Sequence, residues 1–310
     1  MFEISAREFD LPSIMDSGQA FRIRQLGNGE FLVVAGNRAV TIRQETAARQ
    51  EIAVGGGPER NAPKTGKWWK SEEVRLLFSC SRATFEEFWR DYFDLERDYG
   101  AIRRSIDPSD TFLLEAAEYG RGIRILHQDL WETIVSFLIS QNNNILRIRR
   151  SIEALCRRYG KKIEISAAEG ESCYSFPIPE AIAEGGLDGL QGLGLGYRDK
   201  YILEMARRCS EKEGKAWLKQ LERSSYEETR RLLTAEFGIG KKVADCVCLF
   251  ALGHVEAFPV DTHIRQILET HYPEGFPFGR YEGYAGILQQ YLFFAELKKE
   301  KKKGSKSAGA

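Results

Sequence analysis

The feature that most constrains this chain is the segment GIGKKVADCVCLFA, residues 238–251. Two glycines enclose an isoleucine, two lysines follow, and nearly all later residues are apolar. Glycine permits positive φ and close approach by another molecule, so the segment predicts a tight turn feeding a buried helix. Backbone amides at the start of a helix favour an anion such as a phosphate. A Gly-x-Gly turn is also typical of two packed helices, and the GxxxxGK[ST] pattern of a nucleotide-triphosphate loop is lacking.

Lys242 lies at the mouth of this apolar helix, where a charged amine is a poor fit. A lysine at such a place either extends its amine to water or is kept for its chemistry. An amine beside buried surface is a candidate nucleophile. Lys241, its neighbour, is a candidate phosphate ligand.

A second candidate site residue lies in FPVDTHIRQIL, residues 258–268. Pro259 excludes helix there, and Asp261 is the expected N-cap of the next helix. This carboxylate is either an ordinary cap or a fixed charge facing a developing cation, and the two roles are compatible. His263 in the first turn is either structural or a donor to phosphate. An amine, a carboxylate and a phosphate-binding turn together suit attack at the anomeric carbon of a sugar in a nucleic acid backbone.

The composition limits the classes of protein to consider. The 310 residues include 45 Lys plus Arg and 45 Asp plus Glu, which excludes a globally basic protein but not a local basic face. We find no apolar run of membrane-spanning length and no signal-peptide core, so we expect no membrane partner. The expected location is cytoplasmic (nucleoid-associated) in a prokaryote and nuclear in a eukaryote. The six cysteines and four histidines lack disulfide or metal-site spacing, so we expect no metal and no cofactor.

The pattern along the chain predicts three parts. Residues 1–105 form an α+β domain, in which residues 31–44 read as strand, turn and strand, residues 55–67 as a loop and residues 83–99 as a helix. Residues 106–297 form a mainly helical domain, with a central helix that starts at Asp129 and Glu132 in a capping pattern. Residues 298–310 form a basic tail, predicted to be disordered.

These motifs together resemble the helix-hairpin-helix (HhH-GPD) DNA glycosylase superfamily, in particular its 8-oxoguanine DNA glycosylase/AP lyase branch. The resemblance covers nearly the whole chain and rests on SGQAFR (17–22), RILHQDLWETIVSFLISQNNNILRI (124–148), LGLGYR (193–198), GIGKKVADC (238–246), PVDTH (259–263) and YAGILQQYLF (284–293). It implies a mainly α fold with two helical subdomains and an N-terminal domain containing an antiparallel sheet. It also implies a monomer that acts on double-stranded DNA containing oxidised guanine.

The resemblance assigns the chemistry to two residues. Lys242 matches the lysine that attacks C1′ and forms a Schiff base, and Asp261 matches the aspartate that stabilises the sugar cation. The implied enzyme is bifunctional. It excises 8-oxoguanine opposite cytosine as a DNA N-glycosylase and then cuts the strand by β-elimination as an AP lyase.

The resemblance assigns four residues to the flipped base. The carbonyl of Gly18 would accept the N7–H that 8-oxoguanine has and guanine lacks. Cys246 and Phe293 would sandwich the base, and Gln289 would read its Watson–Crick edge. Taken singly, Cys246 and Phe293 could equally be core residues and Gln289 a surface amide.

A further set of residues is assigned to the duplex. Asn142 would fill the gap left by the base, Arg147 and Arg198 would hold the orphaned cytosine, and Tyr197 would act as a wedge. The remaining phosphate contacts are assigned to Gly238, Gly240 and His263. Taken singly, the two arginines are more typical of solvent-facing residues.

The chain departs from the family pattern at a few positions. Phe237 stands where the family usually has proline, Lys241 replaces a small polar residue, and Gln141 replaces a serine. The cysteine cluster of the iron–sulfur glycosylases is missing. The family also allows a cation on the hairpin carbonyls. Two alternatives stay open, a glycosylase for alkylated or other damaged purines and a helix-hairpin-helix DNA-binding module without catalysis.

Overall fold

The structure, a computed structural model, describes residues 1–27, 29–46, 73–165 and 172–307. The predicted loop at residues 55–67 lies outside them. The strands are β1 (Phe2–Arg7), β2 (Ile23–Gln25), β3 (Phe31–Ala35), β4 (Arg38–Thr46), β5 (Glu73–Phe78), β6 (Lys162–Ile163) and β7 (Cys173–Tyr174).

The helices follow in chain order, with one π turn and one 3₁₀ turn among them. They are α1 (Leu11–Asp16), α2 (Arg82–Thr84), the π turn (Phe85–Trp89), α3 (Arg90–Tyr92), α4 (Tyr99–Arg104), α5 (Thr111–Tyr119), α6 (Leu130–Ser140), α7 (Ile145–Tyr159), α8 (Pro179–Leu190), α9 (Arg198–Ser210), α10 (Lys212–Leu221), α11 (Tyr226–Thr234), α12 (Lys241–Ala251), α13 (Thr262–His271), the 3₁₀ turn (Phe278–Tyr281) and α14 (Ala285–Ser307).

The N-terminal part is built on an antiparallel sheet of order β1-β5-β4-β3-β2. Strands β3 and β4 form the predicted hairpin, with Val33 opposite Val40. One apolar core lies between this sheet and the aromatic helix that runs from α2 to α3. A second, larger core joins the helices from α5 to α14. The mainly helical fold with an N-terminal antiparallel sheet is therefore as predicted.

The helix predicted over residues 83–99 is wrong at its C-terminal end. It stops at Tyr92, and Asp94 takes a left-handed backbone conformation with φ of 47°. Aspartate tolerates this region better than most residues. The buried carboxylate of Asp94 then accepts hydrogen bonds from Arg97 Nε at 2.6 Å and Tyr99 Oη at 2.8 Å.

Helix α6 occupies the centre of the helical part, since every residue from Leu130 to Ile139 is buried. It packs against α7, α9 and α12. Asp129 caps it by accepting from Glu132 N at 2.8 Å, as predicted. The Glu132 carboxylate, however, points to the N-terminal part, where it accepts from Gly36 N at 2.8 Å and Arg22 Nη1 at 3.3 Å.

The C-terminal helix α14 continues to Ser307, into the segment for which the sequence predicted disorder. Lysine and glutamate are good helix formers, and they prolong a helix whose first half is anchored in the core. Among the described residues, no helix combines the length and apolarity needed to cross a bilayer.

Candidate active site and nucleic-acid interface

A pocket opens where α12, the start of α13, α14 and the turn around Gly18 meet. Its lining residues are Gly18, Phe137, Lys242, Cys246, Phe250, Pro259, Asp261, Gln289, Gln290 and Phe293. The structure thus brings together both predicted catalytic residues and all four residues predicted to bind the base. They come from distant parts of the sequence.

Lys242 is the second residue of α12, and its side chain is half-buried. Its Nζ lies 4.9 Å from the ring centroid of Phe137 on α6. Phe250 stacks on the same ring, with centroids 5.5 Å apart and an interplanar angle of 16°. The amine therefore lies along an aromatic wall of the pocket, where a cation is attracted by the ring face.

Asp261 both caps α13 and lines the pocket. Its Oδ1 accepts from Ile264 N at 2.9 Å, which fixes the carboxylate at the helix N-terminus. A carboxylate at this position interacts favourably with the positive end of the helix dipole. His263 lies beside the pocket, with its ring centroid 6.0 Å from that of Phe293.

The turn around Gly18 is fixed on both sides of the glycine. Gln290 Nε2 donates to Ser17 O at 2.7 Å, and Gln128 Nε2 donates to Gln19 O at 2.9 Å. Gly18 has φ of 77°, and a Cβ there would lie 3.0 Å from Phe293 Cε1. Only glycine fits this conformation without strain, so its backbone forms part of the pocket wall.

Gln289 and Cys246 present different chemical groups to the pocket, an amide and a thiol. Gln289 is buried and donates through Nε2 to Pro259 O at 2.9 Å. Its buried Oε1 has no hydrogen-bond partner within the described residues. Burial raises the pKa of the Cys246 thiol to about 11, although Lys242 opposes the shift. The thiol is therefore neutral near pH 7, and Gln289 offers an unused acceptor.

The pocket is small. Its volume is about 40 Å³, room for roughly three water molecules. Phe293 lies so close to Gly18 that a Cβ on the glycine would be 3.0 Å from its Cε1. A purine base is several times larger, so the lining residues must move to admit it.

The turn between α11 and α12 carries the two predicted glycines, and they have different surroundings. Gly238 has φ of 85°, and a Cβ there would lie 2.5 Å from Tyr201 Cγ. At Gly240, the N-cap of α12, a Cβ would meet no other atom within 4 Å. No side chain of the described segments caps this helix. Its first amides are thus exposed beside a residue without a side chain, which suits a phosphate.

In the turn that follows α6, three polar side chains make hydrogen bonds within the protein and a fourth is exposed. Gln141 Nε2 donates to Gly238 O at 3.1 Å, which joins this turn to the α11–α12 hairpin. Asn143 Nδ2 donates to Ile139 O at 3.1 Å, and Asn144 caps α7 by accepting from Arg147 N at 3.0 Å. Asn142 is exposed and has φ of 45°. Its neighbours hold this side chain outward.

The two predicted arginines differ in burial. Arg147 is exposed, as is typical of an arginine taken singly, whereas Arg198 is only 6% exposed. Arg198 donates to Gln141 O from Nε at 2.7 Å and from Nη2, and Nη2 also donates to Asn142 O at 2.8 Å. Its guanidinium lies 4.6 Å from the ring centroid of Tyr197, which is 52% exposed. Arg198 thus braces the turn that carries Asn142.

Sequence reasoning did not single out three pocket residues. Phe137 and Phe250 form the aromatic wall, and Gln290 holds the turn around Gly18. The phenylalanines lie within apolar helical patterns, so the sequence did not distinguish them from core. Gln290 carries a signal, because a second amide in the apolar segment ILQQYLF needs a buried partner. Within the described segments, no cluster of three histidine, cysteine or carboxylate side chains is placed to hold a metal ion.

Two family models match the chain. The model described as 8-oxoguanine DNA glycosylase, N-terminal domain, matches residues 1–134. The model described as HhH-GPD superfamily base excision DNA repair protein matches residues 135–274.

Proteins similar to this chain include two curated relatives. The N-glycosylase/DNA lyase of Saccharomyces cerevisiae is 39% identical over 161 residues, which are 49% of this chain and 42% of that protein. The N-glycosylase/DNA lyase OGG1 of Arabidopsis thaliana is 28% identical over 322 residues, which are 96% of this chain and 80% of that protein.

A solved structure is similar over nearly the full length. The 8-oxoguanine glycosylase/lyase of Clostridium acetobutylicum, in complex with double-stranded DNA containing cytosine opposite 8-oxoG, has a TM-score of 0.77 and 30% identity. The match covers 95% of this chain and 93% of that one.

Proposed function

Because this chain belongs to the 8-oxoguanine glycosylase branch of the HhH-GPD superfamily, we propose that it excises 8-oxoguanine from duplex DNA and then cleaves the strand. The observation that carries this proposal is the single pocket that joins an amine, an N-capping carboxylate and the predicted base-binding residues. The two alternatives that the sequence left open require fewer of these residues. A binding module needs no Lys242 and Asp261 together, and a glycosylase that activates water needs no amine.

In the proposed reaction the Lys242 amine, in its neutral form, attacks C1′ of the damaged nucleotide. The N-glycosidic bond breaks, its electron pair leaves with the base, and the base takes up a proton. Asp261 faces the positive charge that develops on the sugar. Loss of a proton from the amine and opening of the sugar ring give a Schiff base. Removal of a C2′ proton then expels the 3′ phosphate by β-elimination.

The proposed selectivity follows from the pocket walls. The N7–H of 8-oxoguanine would donate to the Gly18 carbonyl, whereas guanine presents a lone pair there. Such a buried mismatch costs roughly 1–3 kcal/mol. The unused Oε1 of Gln289 would accept from the N1–H and amino group of the base. The neutral Cys246 thiol and the Phe293 ring would lie on its two faces.

Flipping a base out of a duplex costs a few kcal/mol and leaves a gap beside an unpaired partner. The exposed, left-handed Asn142 supports its predicted role as the residue that fills the gap. The uncapped start of α12 supports a grip on the backbone phosphate. Arg147, Arg198 and Tyr197 remain the candidates for contact with the unpaired base, and Arg147 and Tyr197 are exposed.

The test is borohydride trapping on a duplex with one 8-oxoguanine opposite cytosine, with an undamaged duplex as a control. We expect a covalent protein–DNA product on the damaged duplex only. Lys242→Gln should lose trapping, base release and strand cleavage while retaining binding. Lys241→Gln is the matched control, because it removes an exposed neighbouring amine but not the nucleophile, so trapping should persist when the DNA is saturated with protein.

Three results would count against the proposal. Trapping retained in Lys242→Gln would exclude this lysine as the nucleophile. Preferred release of a methylated purine would favour the alkylation-repair alternative. Binding without any base release would favour a non-catalytic module.

We also propose that the protein acts as a monomer in the compartment that holds the genome. The residues assigned above to DNA all belong to one chain. Sedimentation equilibrium with and without an 8-oxoguanine duplex would test this, and a stable dimer in the absence of DNA would contradict it.

A further inference from the structure

Three aromatic rings form a connected strip beside the α11–α12 hairpin. Tyr197 precedes α9 as its N-cap residue and Tyr201 lies in the first turn of that helix, with ring centroids 5.8 Å apart and an interplanar angle of 79°. Phe237, at the tip of the hairpin, continues the strip at 4.9 Å from Tyr201 and 81°. These are edge-to-face contacts, which fix ring orientation.

Phe237 lies at the end of this strip and is 59% exposed. Large apolar side chains that join into an exposed patch often mark an interaction site. The position of Phe237 is also fixed by the residue that follows it. Tyr201 packs so closely against Gly238 that a Cβ on this glycine would lie 2.5 Å from the tyrosine ring. The exposed ring is thus held in place and is not a loose surface residue.

The surroundings of Phe237 suit a nucleic acid backbone. It lies three residues before Gly240, the N-cap of a helix without a side-chain cap, where a Cβ would meet no atom within 4 Å. The neighbouring acid Glu236 is paired with Arg208 at 2.9 Å, so its charge is neutralised near an approaching phosphate. Sugars and phosphates alternate along a DNA strand. An apolar ring beside a phosphate-binding turn is therefore placed to contact the sugar next to the bound phosphate.

We propose that Phe237 binds the apolar face of a deoxyribose next to the phosphate held by the hairpin. The inference rests on the proposed function in taking duplex DNA as the substrate. It assigns a role to a position where the family usually has proline. The contact adds affinity that is independent of base identity and does not involve charge.

The test measures the dissociation constant of Phe237→Ala for an undamaged duplex and for an 8-oxoguanine duplex across a range of salt concentrations. Loss of an apolar contact should weaken both by the same factor, about tenfold. The slope of log K against log salt should stay unchanged, because no phosphate charge is lost. Phe237→Trp should retain wild-type affinity.

The matched control is Phe278→Ala. Phe278 is 49% exposed and makes a similar edge-to-face contact with Phe258, at 5.1 Å and 81°. It follows the far end of α13 and should not affect DNA binding. Lys241→Gln serves as the opposite control, since loss of a phosphate contact should reduce the salt slope.

Unchanged affinity in Phe237→Ala would overturn the inference, as would a reduced salt slope in that variant. A wild-type dimer that this substitution dissociates would show that the strip binds a second copy of the chain. Absence of 8-oxoguanine excision by the wild-type protein would refute the proposed function alone, because the Phe237 measurement uses binding of undamaged DNA.

Discussion

At the scale of single residues, Asp261 has an observed role as a helix cap and a proposed role in stabilising charge on the sugar, and substitution can separate the two. Asparagine caps a helix about as well as aspartate, so Asp261→Asn should retain stability. It removes the negative charge that faces the sugar, so the single-turnover rate of base release should fall about a hundredfold or more. Asp261→Ala should lose activity and also about 1 kcal/mol of stability. A wild-type rate in Asp261→Asn would exclude the electrostatic role.

The Cys246 thiol should take no part in proton transfer. Burial raises its pKa to about 11. The folded protein therefore holds the proton below that pH, and the thiolate forms only as the pH rises through it. Between about pH 6 and pH 9, rate profiles of wild-type protein and Cys246→Ala should have the same shape. Cys248→Ala, a buried neighbour, is the control. Loss of one limb of the profile in Cys246→Ala alone would contradict this.

The role of a single residue was predictable where it depends on neighbours in the sequence. Asp261 was predicted as an N-cap from the proline before it, and the structure confirms the cap. Arg198 shows the limit of such reasoning. Its partners are carbonyls 56 and 57 residues earlier in the chain, and no local pattern signals them. Taken singly, this arginine was therefore more typical of a solvent-facing residue than of a buried one.

At the scale of elements, the α11–α12 hairpin offers a matched pair of variants. Gly238→Ala places a Cβ 2.5 Å from Tyr201 at a positive φ, so we expect roughly 1–3 kcal/mol of destabilisation. Gly240→Ala meets open space at φ of −87°. It should cost less than about 1 kcal/mol but weaken DNA binding, since its methyl group lies where the phosphate approaches.

Urea unfolding and duplex binding on both variants would check this pair. Equal losses of stability would show that the two glycines share one structural role. Unimpaired DNA binding by Gly240→Ala would indicate that the backbone passes elsewhere.

Elements with strong periodicity were predicted well. The β3–β4 hairpin and helix α6 follow the expected pattern. The aromatic helix was predicted too long, because Asp94 stops it through side-chain contacts that the helical spacing of the aromatic residues does not reveal. The C-terminal basic segment was predicted as disordered from its composition, yet helix propensity prolongs α14 into it as far as Ser307.

At the scale of the whole molecule, Arg22 joins the N-terminal sheet to the helical part. Its side chain is 5% exposed and pairs with Glu132 at 3.3 Å, and it also donates to Tyr174 O. Burial raises the pKa of Glu132, and Arg22 opposes that rise. Arg22→Ala leaves a buried carboxylate without its charged partner and should cost about 3–5 kcal/mol.

Chemical denaturation of Arg22→Ala would measure this cost. Arg75→Ala is the control, because its pair with Glu3 is exposed and its loss should leave stability unchanged. Arg22→Met combined with Glu132→Leu should recover much of the loss. A stable Arg22→Ala protein would show that the two parts are joined mainly by apolar contacts.

The hydrogen bond from Gln141 to Gly238 ties the turn that carries Asn142 to the α11–α12 hairpin. Arg198 holds the same turn through the carbonyls of Gln141 and Asn142. The two points that we propose to contact DNA are therefore held at a fixed separation. In the proposed complex, the gap-filling residue lies at a constant offset from the phosphate that the hairpin binds, so damaged nucleotides in helices that are stretched or bulged at that offset should escape excision.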